Sequence, residues 1–180
     1  QRINALLVGP GLARDTAAHQ RLAAILARDL PTVTDADALV LLEPDMLKGR
    51  SAALVMTPHE GELARLCASF AITAETRLDR AKALSAATNA MVVAKGPDTL
   101  IAAPDGGLQI ARPAPSWLST AGTGDVLAGL TASRLASGSA PTVAAAEAVW
   151  LHGEAARIAG PAFTAAELVK ALPEAYAACL

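Results

Sequence analysis

Short apolar runs alternate with helical patterns through the first half of the chain, and that alternation restricts the fold more than any other feature. Ala5 to Val8 is stopped by Gly9-Pro10-Gly11 and leads into a helix carrying Leu22, Ala23, Ile25 and Leu26, running to about Leu30. Pro31 to Asp37 reads as a second strand and Ala53 to Met56 as a third. Thr57 with Glu60 then forms a capping-box pattern with Pro58 at the first helical position, so a helix is predicted to start at Thr57. A further helix follows from Asp79 to about Asn89, and Met91 to Lys95 is a buried-looking strand. Gly96-Pro97-Asp98 turns the chain, and Thr99 to Ala103 returns as a strand into Pro104-Asp105-Gly106-Gly107, a hairpin-like excursion. Leu39 to Leu47 is irregular and is broken by Pro44. Pro141 to Ala159 is an alanine-rich helix with Trp150, Leu151 and Ile158 on its apolar side, and Ala165 to Leu172 is another. Strands that alternate with helices imply a mostly parallel sheet in a layered α/β fold.

A chain of 180 residues suits one domain with a real core. With a net charge of -2 and 3% aromatic residues it has no basic stripe and few stacking platforms, which argues against nucleic acid as a partner. No run is long and apolar enough to span a bilayer, and Arg2, Asn4 and the Gly-Pro-Gly turn do not resemble a signal peptide. Cys67 and Cys179 lie far apart without Cys or His at metal-ligand spacing, so neither a disulfide framework nor a zinc site is expected, and a reducing cytosol fits. A cytoplasmic homo-oligomer is the expectation.

The stretch from Ser119 to Ala132 concentrates the chemistry. Gly122 and Gly124 precede Asp125, and Val126, Leu127 and Leu130 follow at helical spacing, so a glycine loop turns into a helix. The amides of Thr123, Gly124 and Asp125 can then converge on one point, which the helix dipole makes a phosphate site. A carboxylate beside a phosphate repels it unless it has work to do there, and taking a proton from an attacking hydroxyl is such work for Asp125. The competing reading is that Thr123 or Asp125 simply caps a core helix. Other residues sit at strand ends in the same way. Gly11 either admits a ligand or makes the bend. Asp35 and Asp37 either hold a hydrated magnesium ion, or shape a pocket, or cap the next turn. His59 stands at a strand-to-helix junction. Lys95 either meets a phosphate or a sheet-end carboxylate, or it snorkels to the surface. His152 is assigned to packing or the surface.

Five segments, in order, carry a family likeness: Val8-Gly9-Pro10-Gly11-Leu12, Thr34-Asp35-Ala36-Asp37-Ala38-Leu39, Thr57-Pro58-His59-Glu60-Gly61-Glu62, Ala94-Lys95-Gly96-Pro97-Asp98-Thr99 and Ala121-Gly122-Thr123-Gly124-Asp125-Val126-Leu127. The chain resembles the carbohydrate-kinase domain of the ADP-dependent NAD(P)H-hydrate dehydratases, in the ribokinase-like superfamily. The resemblance implies a three-layer α/β/α domain over residues 1–180 with a mostly parallel sheet. It implies ADP or ATP with Mg2+, and hydrated NADH or NADPH as substrate. Asp125 is then the catalytic base and a substrate contact. Gly11, His59, Glu60, Gly61 and Glu62 are further substrate contacts. Lys95, Gly96, Pro97, Asp98 and Thr99, with Thr120, Ala121, Gly122, Thr123 and Gly124, bind the nucleotide. Two features depart from the family pattern: Ala114-Pro115-Ser116-Trp117-Leu118 replaces an Asn-Pro-Gly-Met lead into the anion loop, and the family begins well before the Gly-Pro-Gly turn. An N-terminally incomplete domain is therefore expected. A vitamin-precursor kinase of the same fold and a non-catalytic nucleotide-binding module are the alternatives.

Overall fold

Residues on either side of each strand position decide how the layers assemble. In the computed structural model, which describes residues 3–179, a single sheet contains β1 (Leu6–Val8), β2 (Thr32–Thr34), β3 (Leu54–Met56), β4 (Met91–Ala94), β5 (Leu100–Ala102) and β6 (Leu108–Ile110), side by side in chain order. The first four strands are parallel, whereas β5 and β6 run back and forth as an antiparallel edge. Successive side chains of a strand point to opposite faces. Val55 accordingly packs on one face of the sheet while its neighbours Leu54 and Met56 pack on the other.

The crossover helices are α1 (Thr16–Leu26), α2 (Asp37–Leu41), α3 (Glu60–Ser69) and α4 (Arg77–Thr88). Every parallel step advances one strand in the same direction, and right-handed connections then deposit every crossover on the same face. Leu22, Leu26, Leu39, Leu63, Leu66 and Leu84 cover Val8, Leu54, Met56 and Val92 there. The opposite face is left for the C-terminal helices α5 (Thr123–Ala136), α6 (Pro141–Ala159) and α7 (Ala165–Ala177), which bury Val33, Val55, Met91, Val93 and Ile101. Ala144, Ala145, Ala148, Ala155 and Ala156 of α6 are all 0% exposed, and their small side chains let the neighbouring helices approach closely. The architecture is the expected three-layer α/β/α fold.

Several boundaries differ from the sequence reading. The α3 helix starts at Glu60 rather than Thr57, because the Thr57 amide still donates to Thr34 O at 3.1 Å as an extension of the sheet. Helix α7 runs through Pro173 to Ala177 instead of ending at Leu172. The proline cannot bond the Val169 carbonyl, but Val169 is 49% exposed, on the side where water can satisfy that oxygen. The irregular segment after Asp37 forms the short α2 and a 3-10 turn over Pro44–Leu47. No helix among the described residues is long and apolar enough to cross a membrane.

Candidate active site

Because β1 to β4 are parallel, the residues that follow them emerge along one edge of the sheet. Residues 9–11 follow β1, 35–37 follow β2, 57–62 follow β3, and Lys95 follows β4. The Asp35 backbone crosses Gly9 so closely that a Cβ there would lie 1.7 Å from Asp35 O, and the glycine adopts a φ of +141°. Gly11, at φ +68°, makes the adjoining open turn.

Asp35 has a side chain only 2% exposed, and a carboxylate so placed needs a counter-charge. It receives one from Lys95 Nζ at 2.8 Å, with Glu62 Oε2 lying 4.0 Å from the same ammonium. Lys95 thus meets a sheet-end carboxylate, one of the outcomes its position allowed. Asp37 turns away, accepting from Ala13 N at 3.1 Å and from Arg14 Nε at 2.6 Å, so it holds the loop before α1.

His59 caps α3. Its Nδ1 accepts from the amides of Gly61 at 3.0 Å and Glu62 at 3.3 Å, and Glu62 Oε2 accepts from His59 N at 2.8 Å. This reciprocal cap replaces the one expected at Thr57, whose buried hydroxyl donates instead to Thr34 O at 3.3 Å. With Nδ1 accepting, neutral His59 carries its proton on Nε2, 3.4 Å from Glu62 Oε1.

The start of α5 has no side-chain cap, contrary to the reading in which Thr123 or Asp125 supplies one. Gly122 takes φ +86°, and a Cβ on it would stand 3.1 Å from Ala165 Cβ. The Thr123 hydroxyl faces inward, within 2.6 Å of Leu118 O and 2.8 Å of Thr120 O. The Gly124 and Asp125 amides have no backbone acceptor among the described residues. A Cβ on Gly124 would lie 3.3 Å from Lys95 Nζ and 3.9 Å from Asp35 Oδ2, so the start of α5 stands directly beside the Lys95–Asp35 pair. Asp125, one residue further on, is exposed.

A cavity of about 650 Å³ adjoins this point, bounded by the α5 start, His59, the segment after β4, the 111–119 loop and α6. Among the residues singled out by sequence, His59, Lys95, Gly96, Pro97, Thr99, Thr123 and Gly124 line it. Gly61 and Glu62 serve the His59 cap, and Thr120 lies beneath Thr123. Ala121 and Gly122 are exposed in the loop, and Gly11 is exposed in its own turn. Glu60 pairs with Arg80 at 3.3 Å and Asp98 with Arg77 at 3.5 Å, both away from the lining. Among the described residues no three His, Cys, Asp or Glu side chains are grouped to hold a metal ion.

Arg112, Trp150 and His152 also line the cavity and were not marked as site residues by the sequence. His152 is 8% exposed, with Nε2 2.8 Å from Thr123 O. Burial, reinforced by the nearby Lys95 charge, pushes its pKa down to about 4 against the opposing pull of the Thr123 carbonyl. No spacing rule links a histidine in the middle of α6 to the first residue of α5, because the contact exists only once the two helices pack.

The three-layer sheet with a glycine loop feeding a helix at its strand ends is a fold that the chain shares with ribokinase-like proteins. A ribokinase-like superfamily protein from Enterococcus faecalis superposes with a TM-score of 0.76 at 26% identity, covering 95% of this chain and 62% of that one. The family model described as NAD(P)H-hydrate dehydratase matches residues 1–175, and the chain belongs to that family. The bifunctional NAD(P)H-hydrate repair enzyme Nnr of Mycobacterium tuberculosis is 43% identical over 139 residues, 76% of this chain and 29% of the relative. The ADP/ATP-dependent NAD(P)H-hydrate dehydratase from Bacillus subtilis, co-crystallized with ATP/Mg2+, gives a TM-score of 0.87 at 29% identity over 99% of this chain and 65% of that one. The chain thus spans less than a third of the mycobacterial protein and about two thirds of the Bacillus one.

Proposed function

We propose that the chain carries the nucleotide-dependent dehydration of hydrated NADH or NADPH, with ADP converted to AMP and phosphate. The observation that carries this reading is the α5 start, where the Gly124 and Asp125 amides have no backbone acceptor among the described residues and Gly124 stands beside Lys95 in the lining of a cavity of about 650 Å³, with Asp125 next in the chain and outside that lining. Free helix-start donors and a lysine held in place by Asp35 fit a phosphate group, with Lys95 acting as a point charge toward it. Mg2+ fits as an ion carried on the nucleotide phosphates, which is how it is commonly bound when the protein offers no cage of its own. It would supply further neutralisation of phosphate charge.

A ring hydroxyl is a poor leaving group. Asp125, exposed at the α5 start, accepts the hydroxyl proton as the oxygen attacks the terminal phosphorus of ADP. The bond from that phosphorus to the bridging oxygen breaks and AMP departs. The amides beside Gly124 hold the developing negative charge. The lone pair of the ring nitrogen then expels phosphate, a ring proton is lost and the double bond of NADH or NADPH returns. His59 lines the cavity as a substrate contact, with Gly11 in the turn after β1 as a further one, and Lys95, Gly96, Pro97 and Thr99 with the loop from Thr120 to Gly124 are nucleotide contacts. Two free cysteines support operation in a reducing cytosol. Exposed Val143, Trp150, Val169 and Tyr176 on the outer helices support assembly as a homo-oligomer.

Hydrated NADH and ADP, mixed with the native protein, should release one phosphate for each reduced cofactor whose absorbance returns. Asp125→Asn should lower this turnover by about a thousandfold or more, while ADP affinity stays within a few-fold. A variant that keeps most of its turnover removes Asp125 from the role of base.

A further inference from the structure

We infer that His152 is a positioning residue for the anion-binding amides, acting through the peptide unit between Thr123 and Gly124. The proposal rests on the phosphate-binding reading of the α5 start. His152 Nε2 lies 2.8 Å from Thr123 O. A carbonyl oxygen only accepts, so Nε2 is the protonated nitrogen of the neutral ring. Burial keeps the ring neutral near pH 7, its pKa being about 4. The side chain therefore delivers a directed N–H without adding a positive charge beside Lys95.

The effect reaches the site because a peptide unit is planar and trans. The Thr123 carbonyl lies in the first turn of α5, and holding its oxygen against α6 adds a second restraint on a plane whose opposite edge carries the Gly124 N–H. That amide has no backbone acceptor among the described residues, and Gly124 itself is close enough to Lys95 that a Cβ on it would lie 3.3 Å from Nζ. A hydrogen bond to the carbonyl also polarises the N–H of the same peptide, which strengthens it as a donor. The plane is gripped from a second direction, since the Thr123 hydroxyl lies 2.6 Å from Leu118 O and 2.8 Å from Thr120 O. Gly122 enters α5 at φ +86° and Thr123 is the first residue of that helix, so the two grips add to the helical geometry that already orients this peptide. His152 touches neither reacting atom in this account. It sets the direction in which one donor points.

The test combines nuclear magnetic resonance of the intact native protein with two variants. In the unmodified protein, ring nitrogen shifts of His152 should report the Nε2-protonated tautomer at pH 7; an Nδ1-protonated ring overturns the proposal with no variant needed. His152→Leu should move the Gly124 amide resonance even without ligand and weaken ADP binding about tenfold, the scale of one lost hydrogen bond. His152→Gln, which restores an N–H donor on a side chain of comparable reach, should return both toward the original values. A His152→Leu protein that is folded, with the Gly124 resonance and ADP affinity unchanged, overturns the inference. If the unmodified protein binds no ADP, the phosphate reading fails, while the tautomer and the Gly124 shift still decide whether the coupling exists.

Discussion

Two cations stand at opposite ends of the sheet, and the way each is satisfied separates a structural role from a chemical one. Arg50 lies at the amino ends of β2 and β3. Its guanidinium donates to Leu26 O at 2.7 Å, to Thr32 Oγ1 at 2.9 Å and to Leu30 O, with Ala53 O at 3.4 Å. These are neutral acceptors from the chain termini of neighbouring elements, so a planar fork of donors sews the closed end of the sheet together. Its nearest carboxylate, Asp29, is spent on the Ser51 hydroxyl and the Ser51 and Ala52 amides, which hold its pKa down to about 2. Lys95, at the carboxyl ends, is balanced by carboxylates instead, and its side chain stays 21% exposed where the cavity begins. One cation is held through its two terminal nitrogens by acceptors that never leave, while its buried Nε has no partner among the described residues. The other is poised beside free amides, where an incoming anion can be shared.

The contrast breaks most sharply at turnover. Lys95→Met should reduce phosphate release by about a hundredfold or more at saturating hydrated NADH, because both the point charge and the partner of Asp35 are lost. Arg50→Met should leave turnover per folded molecule unchanged but cost about 3 kcal/mol in urea unfolding, since several buried carbonyls lose their donor together. Equal loss of turnover in both variants would erase the distinction.

A smaller effect sharpens it. His152 is buried beside Lys95 with no carboxylate of its own, and its folded pKa of about 4 lies below the ordinary 6.5. The unfolded chain therefore binds more protons between those values, so stability is complete above about pH 6.5 and falls as the pH drops toward 4. Unfolding measured at pH 7 and pH 4.5 should differ by about 2 kcal/mol from this group. The difference should vanish in His152→Gln.

Much of the frame was legible because it depends on local spacing. The parallel strands, the glycine turns and the helix that begins after Gly122 follow from short apolar runs, residues that permit positive φ, and helical periodicity. Lys95 was legible as a cation at a strand end, although whether it met a carboxylate or the surface was open. The start of α3 was misjudged for a physical reason: sheet pairing held Thr57 extended, and a histidine side chain took over the capping expected of threonine. Strand β6 and the extension of α7 past Pro173 were likewise settled by neighbours rather than by local preference.

By itself the sequence determined the alternation of β1 to β5 with the main helices and the family, since both reside in patterns a few residues long. Only the tertiary structure decided that Asp35 rather than Asp37 holds Lys95, that Glu60 and Asp98 pair with arginines away from the cavity, and that His152 grips Thr123. Each of those choices joins residues from separate elements. Their partners are set by how the helices and strands pack, and burial then makes a satisfied polar group far more favourable than an unpaired one.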